Sequence, residues 1–168
     1  MNKPLQPHPP APPARGFTAI ELLVVLSIVA ILATVAAPSF RQFIAKQRIK
    51  SASSALVDSL RIARSEAIKR NTAMAFKFLN SGASTPVNAW SITQSADGTG
   101  TTLLQQDGFP SVSATTSTSS DLLFAFNSYG RLTSGGSSWV KLNAAGASAN
   151  SWVCVSPTGR ATVQDTAC

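Results

Sequence analysis

Length, charge and ligand content already narrow the functions open to this chain. It has 168 residues and a formal net charge of +7, from 14 Lys and Arg against 7 Asp and Glu, with one histidine, His8, and two cysteines, Cys154 and Cys168. So few nitrogen and sulfur ligands argue against a zinc site, and neither a Cys–His nor a Ser–His–Asp set can form outside the first eight residues. We therefore expect no metal, no cofactor and no enzymatic activity. The positive charge serves either solubility or weak attraction to polyanions.

The first 37 residues combine a proline-rich stretch with an apolar run. Residues 1–14, MNKPLQPHPPAPPA, contain six prolines and should be extended, without a core. From Phe17 to Ala37 the only charge is Glu21. A helix of that length measures roughly 31 Å, the thickness of a hydrocarbon core. A membrane-spanning helix is therefore predicted, and the alternative of a buried globular helix is disfavoured because the run is apolar on every face.

The helical pattern continues past Pro38. A proline inside a helix removes one hydrogen bond and crowds the preceding turn, which predicts a kink there. Beyond it, apolar residues recur at spacings of three and four: Ile49, Ala52, Leu56, Leu60, Ala63 and Ala67. We predict one helix from Phe17 to Arg70, with an apolar first half and an amphipathic second half.

After Thr72 the hydrophobic period changes from helical to alternating. In TAMAFKFL, Met74, Phe76 and Phe78 share one side, as in a half-buried strand. Further strands are predicted over 89–94, 101–106, 122–126, 131–133 and 138–144 and in the hairpin 151–165, with turns at ADGTG, NSYG and SPTG. The Ser/Thr-rich stretch 109–120 is predicted to be a loop. The C-terminal half should form an antiparallel β-sheet that packs on the apolar stripe of the helix.

The residues around Gly16 add a processing motif to the apolar run. RGFTAIELLVVLSIVAILATVAAPSF closely resembles the class III signal of type IV pilins and type II secretion pseudopilins, in its glycine, Phe-Thr pair, Ile-Glu-Leu-Leu, apolar run and proline. Ala19 stands where leucine is usual, and the leader is longer than the common ones. The resemblance implies that a prepilin peptidase cuts after Gly16 and that Phe17 becomes the N-methylated first residue.

Glu21 is the sharpest candidate for a functional side chain in this segment. A carboxylate in hydrocarbon is costly unless it is paired. The resemblance implies that Glu21 is an assembly residue, which pairs in the filament with the N-terminal amine of a neighbouring subunit and so offsets both desolvation costs. The alternative is a carboxylate that snorkels to the head groups, because Glu21 lies only about 6 Å from the helix start. Pro38 corresponds to the helix-kinking proline of the family.

An ordinary secretory signal is the alternative to pilin processing. ATVAAPS offers Ala33, Val35 and Ala37 as small residues for cleavage after the apolar run. The helix would then be discarded. Glu21 would be an unexplained charge in the apolar core of such a signal.

A second resemblance extends over the C-terminal part. LRIARSEAIKRNTAMAF, FNSYGRLT and CVSPTGRATV are similar to the GspH/FimT family of minor pilins and pseudopilins, which has an Ala-Arg-x-Glu-Ala helix end, a Phe-x-x-x-Gly hairpin and a terminal Gly-Arg hairpin. Both resemblances imply an α+β pilin fold, in which a long N-terminal helix packs by its C-terminal half on the sheet. The expected segments are a class III leader (1–16), a transmembrane and filament-core helix (17–38), an amphipathic periplasmic helix (39–71) and an antiparallel β domain (72–168).

Topology and disulfide bonding are predicted together. Basic residues flank the far end of the apolar run, and the positive-inside rule alone would place that end in the cytoplasm. The family topology and the cysteine pair argue instead for a single-pass inner-membrane protein with a cytoplasmic N-terminus and a periplasmic C-terminal domain, which later joins a pilus or pseudopilus. Cys154 and Cys168 are predicted to form a disulfide worth about 3 kcal/mol. Two free thiols are the alternative.

Basic residues near the C-terminus raise the alternative of DNA binding. FimT-like pilins that bind DNA carry Gly-Arg-x-Arg, and here Gly159 and Arg160 match but Thr162 replaces the second arginine. Arg131, Lys141 and Arg160 could form a basic patch for DNA or another polyanion. The alternative is that exposed arginines at a strand edge oppose aggregation.

The resemblances together predict a structural role. The chain is expected to be a non-enzymatic minor pilin or pseudopilin, which assembles with other pilins near the tip of a type IV pilus or type II secretion pseudopilus. A FimT-like DNA-binding minor pilin for DNA uptake is the alternative. A secreted enzyme is disfavoured because residues 38–168 carry no plausible catalytic set.

Overall fold

The computed structural model describes residues 16–79, 89–116, 123–134, 138–148 and 150–168. In these ranges the chain forms one long helix followed by nine strands. In chain order the elements are α1 (Ala19–Arg70), β1 (Met74–Phe78), β2 (Ala89–Gln94), β3 (Thr101–Asp107), β4 (Val112–Thr116), β5 (Leu123–Phe126), β6 (Leu132–Ser134), β7 (Ser138–Ala144), β8 (Ser151–Val155) and β9 (Ala161–Gln164).

Helix α1 begins two residues later than predicted and ends at Arg70 as predicted. It ends there because Asn71 adopts a left-handed conformation, with φ of 51°. The Thr72 N–H then donates to the Ala67 carbonyl and the Asn71 N–H to the Ile68 carbonyl, the bonding pattern of a Schellman C-cap.

A network of ion pairs lies near the end of the helix. Arg70 Nε donates to Glu66 Oε2 at 2.6 Å, and Lys69 Nζ lies 3.7 Å from Glu66 Oε1. The Arg70 hydrogen bond, with a smaller contribution from the charge of Lys69, holds the pKa of Glu66 below its ordinary value.

The chain divides into two compact units, with the boundary between Pro38 and Ser39. Among the described residues no single helix is long and apolar enough to cross a membrane, but Ala19–Thr34 and Ala36–Arg70, two parts of α1 joined at a bend, meet that requirement together. The bend lies where Pro38 lacks the N–H that the carbonyl of Thr34, four residues earlier, would accept.

The strands form two antiparallel sheets rather than the single sheet that was predicted. The first has the order β3-β2-β1-β5-β6 and the second the order β4-β7-β8-β9. The prediction of a loop over 109–120 was wrong for its central part, because β4 pairs with β7 in the register Val112↔Ala144, Ala114↔Leu142 and Thr116↔Val140. Residues 117–120 lie outside the described residues, as does Leu122 of the predicted fifth strand.

The core lies between the second half of α1 and the two sheets. All six residues of the predicted stripe are 5% exposed or less, and they share one cluster with Phe76 and Trp90 of the first sheet and Val140 and Val153 of the second. Two buried hydrogen bonds fix the helix to both sheets. Trp90 Nε1 donates to Ser59 Oγ at 2.9 Å, and Ser53 Oγ donates to Ser151 Oγ at 3.0 Å. The predicted packing of the amphipathic half is thereby confirmed.

The C-terminal tail is tied back to the second sheet. Cys154 on β8 and Cys168 form a disulfide, with their Cα atoms 5.9 Å apart, so the predicted pairing is confirmed. The bridge fixes the four residues that follow the edge strand β9.

Candidate functional site

The predicted cleavage bond lies in the short non-helical segment before α1. The Phe17 side chain is 89% exposed, and no atom of the described residues lies within 4 Å of a Cβ built on Gly16. Packing within the described part of the chain therefore leaves the bond between Gly16 and Phe17 open to another protein.

Glu21 takes part in a capping box at the start of α1. Its Oε2 accepts hydrogen bonds from the Thr18 N–H at 2.8 Å and from Thr18 Oγ1 at 2.9 Å, while the Glu21 N–H donates to Thr18 Oγ1 at 3.3 Å. This exchange satisfies backbone donors that the first turn of a helix leaves without partners. The Thr-x-x-Glu spacing is visible in the sequence and was not used in the prediction. Glu21 is therefore held in place by the first turn of its own helix.

The first half of α1 presents apolar side chains in every direction. Ten of them between residues 20 and 32 are at least half exposed: Ile20, Leu22, Leu23, Val24, Val25, Leu26, Ile28, Val29, Ile31 and Leu32. Exposure on this scale marks a surface that a membrane or another protein covers.

Two hairpin turns of the same design lie side by side at one end of the β domain. We call them the Gly-Arg turns, residues 127–131 and 156–160, because NSYGR and SPTGR both place glycine fourth and arginine fifth. In each, the first residue and the arginine bond through their backbones, and the glycine N–H donates to the first residue's carbonyl at 2.8 Å. The Leu132 N–H donates to the Pro157 carbonyl at 3.1 Å, which joins the two turns. Sequence analysis identified each turn but not their pairing, since the pairing depends on long-range packing.

Both glycines of the Gly-Arg turns are required by their surroundings. Gly130 and Gly159 have φ of 71° and 80°, which side-chain-bearing residues rarely adopt. A Cβ on Gly159 would overlap the Gly130 carbonyl oxygen and lie 3.2 Å from Arg64 Nε. The backbone of the second turn can thus lie directly against Arg64 of the helix.

A groove of about 440 Å³ runs between α1 and β9 beside the second Gly-Arg turn. It is lined by three arginines, Arg61 and Arg64 of α1 and Arg160 of the turn, together with Thr162 and other residues. We call it the arginine groove. Arg131 follows the equivalent glycine of the first turn but does not line the groove.

The structure does not bring Lys141 to the two turn arginines. Lys141 lies on β7, two strands away from β9, and its Nζ is 5.4 Å from the centre of the Trp152 ring. Trp152 in turn contacts Trp139 edge to face at 4.7 Å. Lys141 thus belongs to an aromatic cluster on the face of the second sheet opposite Val140 and Leu142, which are buried.

The described residues contain no group of three or more His, Cys, Asp or Glu side chains that could hold a metal ion. The described residues present three surfaces to other molecules: the exposed segment around Gly16 and Phe17, the apolar first half of α1, and the arginine groove.

Comparison with known proteins identifies both parts of the chain. Residues 12–37 match the model of the prokaryotic N-terminal methylation motif, and residues 52–159 match the model of the type II transport protein GspH. A search of curated proteins found no significant match.

Two solved structures share the fold. Both are crystal structures of the type IV minor pilin FimU of Pseudomonas aeruginosa. One is 21% identical with a TM-score of 0.60 and aligns over 73% of this chain and 92% of FimU, and the other is 23% identical with a TM-score of 0.59 over 68% and 91%. The GspH model covers well over half of the residues, in the helix and both sheets. The chain therefore has the pilin fold and belongs to the GspH family, with an N-terminal methylation motif.

Proposed function

We propose that this chain is a non-enzymatic minor pilin or pseudopilin subunit. A prepilin peptidase cuts it after Gly16, Phe17 becomes N-methylated, and the subunit joins other pilins near the tip of a type IV pilus or type II secretion pseudopilus. The relatives support this, because FimU is a type IV minor pilin and the GspH family carries the name of type II transport.

One observation carries the proposal. The methylation motif ends at residue 37 and the GspH match begins at residue 52, and helix α1 contains both of these positions. Cleavage after the apolar run would cut this helix in two and discard the part that carries the motif. Cleavage after Gly16 keeps the helix whole, so that the apolar half anchors and assembles a subunit whose second half belongs to the folded domain.

Glu21 then has two successive partners. In the free chain it accepts two bonds from Thr18. In the filament, the new N-terminal amine of a neighbouring Phe17 supplies a full positive charge, which offsets desolvation of the carboxylate better than neutral donors do. Exchange of the capping bonds for this ion pair couples processing at Gly16 to assembly.

The cellular location follows from the same scheme. The exposed apolar half of α1 spans the inner membrane once, with the N-terminus in the cytoplasm and the β domain in the periplasm. The Cys154–Cys168 disulfide supports the periplasmic side, because disulfides persist in oxidising compartments.

Mass spectrometry of the mature N-terminus tests the proposal. The protein is purified from cells that contain a prepilin peptidase and from matched cells that lack it. We expect N-methyl-Phe17 as the first residue in the former and uncut chain in the latter. A mature N-terminus near Pro38, or the same N-terminus in both strains, contradicts the proposal.

A further inference from the structure

The arginine groove holds more positive charge than the described residues around it neutralise. Arg61 Nη1 lies 3.2 Å from Asp58 Oδ1, and both side chains are largely exposed. Arg64 and Arg160 form no ion pair with the described residues. Among the described residues, Arg64 and Arg160 thus have no carboxylate partner. The ion pair of Arg61 is exposed to solvent, so water or another anion can replace Asp58.

Arg64 is positioned by packing rather than by an acceptor. Its Nε is buried and finds no hydrogen-bond partner within the described part of the chain. The backbone of Gly159 lies close against the Arg64 side chain. Arg160, which follows Gly159 in the turn, lines the same groove. A guanidinium fixed in this way loses little freedom when an anion arrives, which favours binding.

We propose that the arginine groove binds a carboxylate side chain of a neighbouring subunit in the filament. The inference rests on the proposed function, because it requires such a neighbour. A guanidinium group is planar and can donate two parallel hydrogen bonds to the two oxygens of a carboxylate. A cavity of about 440 Å³ accommodates a side chain and the turn that carries it.

Two other anions fit the groove less well. A nucleic-acid backbone needs a continuous basic track, commonly with aromatic side chains for stacking. Among the described residues no aromatic side chain lines the groove, and Lys141 lies against Trp152 instead. A lipid phosphate is too distant, since Arg61 lies roughly 35 Å along the helix beyond Pro38. The observations therefore favour an acidic protein partner.

In-cell photo-crosslinking of the full-length chain tests this inference. A photoreactive phenylalanine analogue replaces Thr162, which is half-buried and lines the groove. Arg160→Glu is the test variant. Arg131→Glu is the matched control, because it makes the same charge change after the equivalent glycine, outside the groove. The crosslinked peptide is identified by mass spectrometry.

We expect an adduct with an Asp- or Glu-containing segment of another pilin-family subunit. Arg160→Glu should reduce its yield at least about tenfold, and Arg131→Glu less than about twofold. Replacing the captured acidic residue with arginine should restore the adduct to Arg160→Glu. Restoration shows a direct charge pair, which loss of folding would not produce.

Several results would overturn the inference. These are no adduct in cells whose filaments contain the chain, an adduct insensitive to Arg160→Glu, or a captured segment without acidic residues. Salt-sensitive binding of a DNA duplex that falls equally in both variants would instead indicate a polyanion track. The N-terminus is sequenced in the same samples. If Phe17 is not the methylated first residue, the proposed function fails; if it is and the groove variants have no effect, only the groove inference fails.

Discussion

The two halves of α1 are equally helical but bury their apolar side chains differently. In the first half, side chains such as Leu26 and Ile31 are 59% and 67% exposed. In the second half, Leu56 and Leu60 are each 1% exposed beneath the two sheets. Both halves are rich in Leu, Ile, Val and Ala, so hydrophobicity alone does not separate them. The separation comes from periodicity, because only the second half confines its apolar residues to one stripe.

This difference assigns the two halves to different partners. A stripe can be covered by the chain's own sheets, whereas a helix apolar on every face needs an environment that surrounds it. Stability of the β domain and assembly of the filament should therefore respond to different substitutions.

Truncation of a leucine in each half gives the largest expected effect and the most direct test of this division. Leu56→Ala leaves a cavity in the core and should lower the free energy of unfolding by about 2–5 kcal/mol. Leu26→Ala removes the same atoms from an exposed position and should change it by less than about 0.5 kcal/mol. Urea unfolding of the full-length chain in detergent, followed by tryptophan fluorescence, measures both. Equal losses would contradict the division.

Removing the disulfide tests how far the β domain is stabilised by its own covalent structure. The double variant Cys154→Ser, Cys168→Ser frees the tail after β9 and should lower the free energy of unfolding by about 3 kcal/mol. Reductant should lower the free energy of unfolding of the unmodified protein by a similar amount. It should leave the free energy of unfolding of the double variant unchanged. A variant as stable as the oxidised protein would show that the bridge is not needed for stability.

A pair of glycine substitutions tests the contact between the Gly-Arg turns. Gly159→Ala and Gly146→Ala both place a side chain at positive φ, of 80° and 83°, which costs about 1–2 kcal/mol. Only Gly159→Ala also drives a Cβ into the Gly130 carbonyl and towards Arg64, whereas no atom of the described residues lies within 4 Å of a Cβ at Gly146. Gly159→Ala should therefore lower the free energy of unfolding by about 1–3 kcal/mol more than Gly146→Ala does. Equal losses in thermal unfolding would show that the two turns separate easily.

The helix and most strands could be predicted from the sequence because their signals are local. The stripe from Ile49 to Ala67 and the alternation of Met74, Phe76 and Phe78 each identify a buried face without knowledge of the partner. Strand β4 was missed because its Ser/Thr-rich sequence hides the two buried residues Val112 and Ala114. Its partner β7 is more than twenty residues away, so no local turn signal indicated the pairing.

The candidate site was predictable in part for the same reason. Glu21 stands out as a lone charge, and each Gly-Arg turn has a recognisable motif. The arginine groove was not predictable, because it depends on the stacking of two turns against Arg64, which brings together residues nearly one hundred positions apart. Lys141 was grouped with Arg131 and Arg160 by charge alone, and its strand places it two strands away from β9.

Loss of the helix cap should have a smaller effect, confined to the first half of α1. Thr18→Ala removes the hydroxyl of the capping box and should weaken the first turn by about 1 kcal/mol. Thr34→Ala is the control, since the Thr34 hydroxyl bonds to the Ile31 carbonyl at 2.7 Å within the helix. Hydrogen exchange of the amides in the first turn, measured in micelles, should accelerate about fivefold in Thr18→Ala alone. Equal acceleration in both variants would exclude a capping role.

The smallest expected effect on stability comes from Asp97, in a surface turn of the β domain between β2 and β3. Hydrogen bonds from the Ser95 side chain and from the Thr99 N–H and hydroxyl lower the pKa of Asp97 from 3.8 to about 2. Because the folded state favours the ionised carboxylate, its contribution to stability is complete above about pH 4 and is lost as the pH falls towards 2. The stability difference between the unmodified protein and Asp97→Asn should therefore be constant from pH 7 to about pH 4 and shrink below it.

Asp107→Asn is the control for this pH dependence, since its carboxylate accepts no hydrogen bond among the described residues and the substitution removes the same charge. Thermal unfolding at a series of pH values compares the two variants. Asp97 lies in the β domain, so Leu26→Ala in the first half of α1 should leave the pH profile unchanged. A difference for Asp97→Asn that persists at pH 2, or that appears equally in Asp107→Asn, would show that the bonds in the turn do not act through the charge of Asp97.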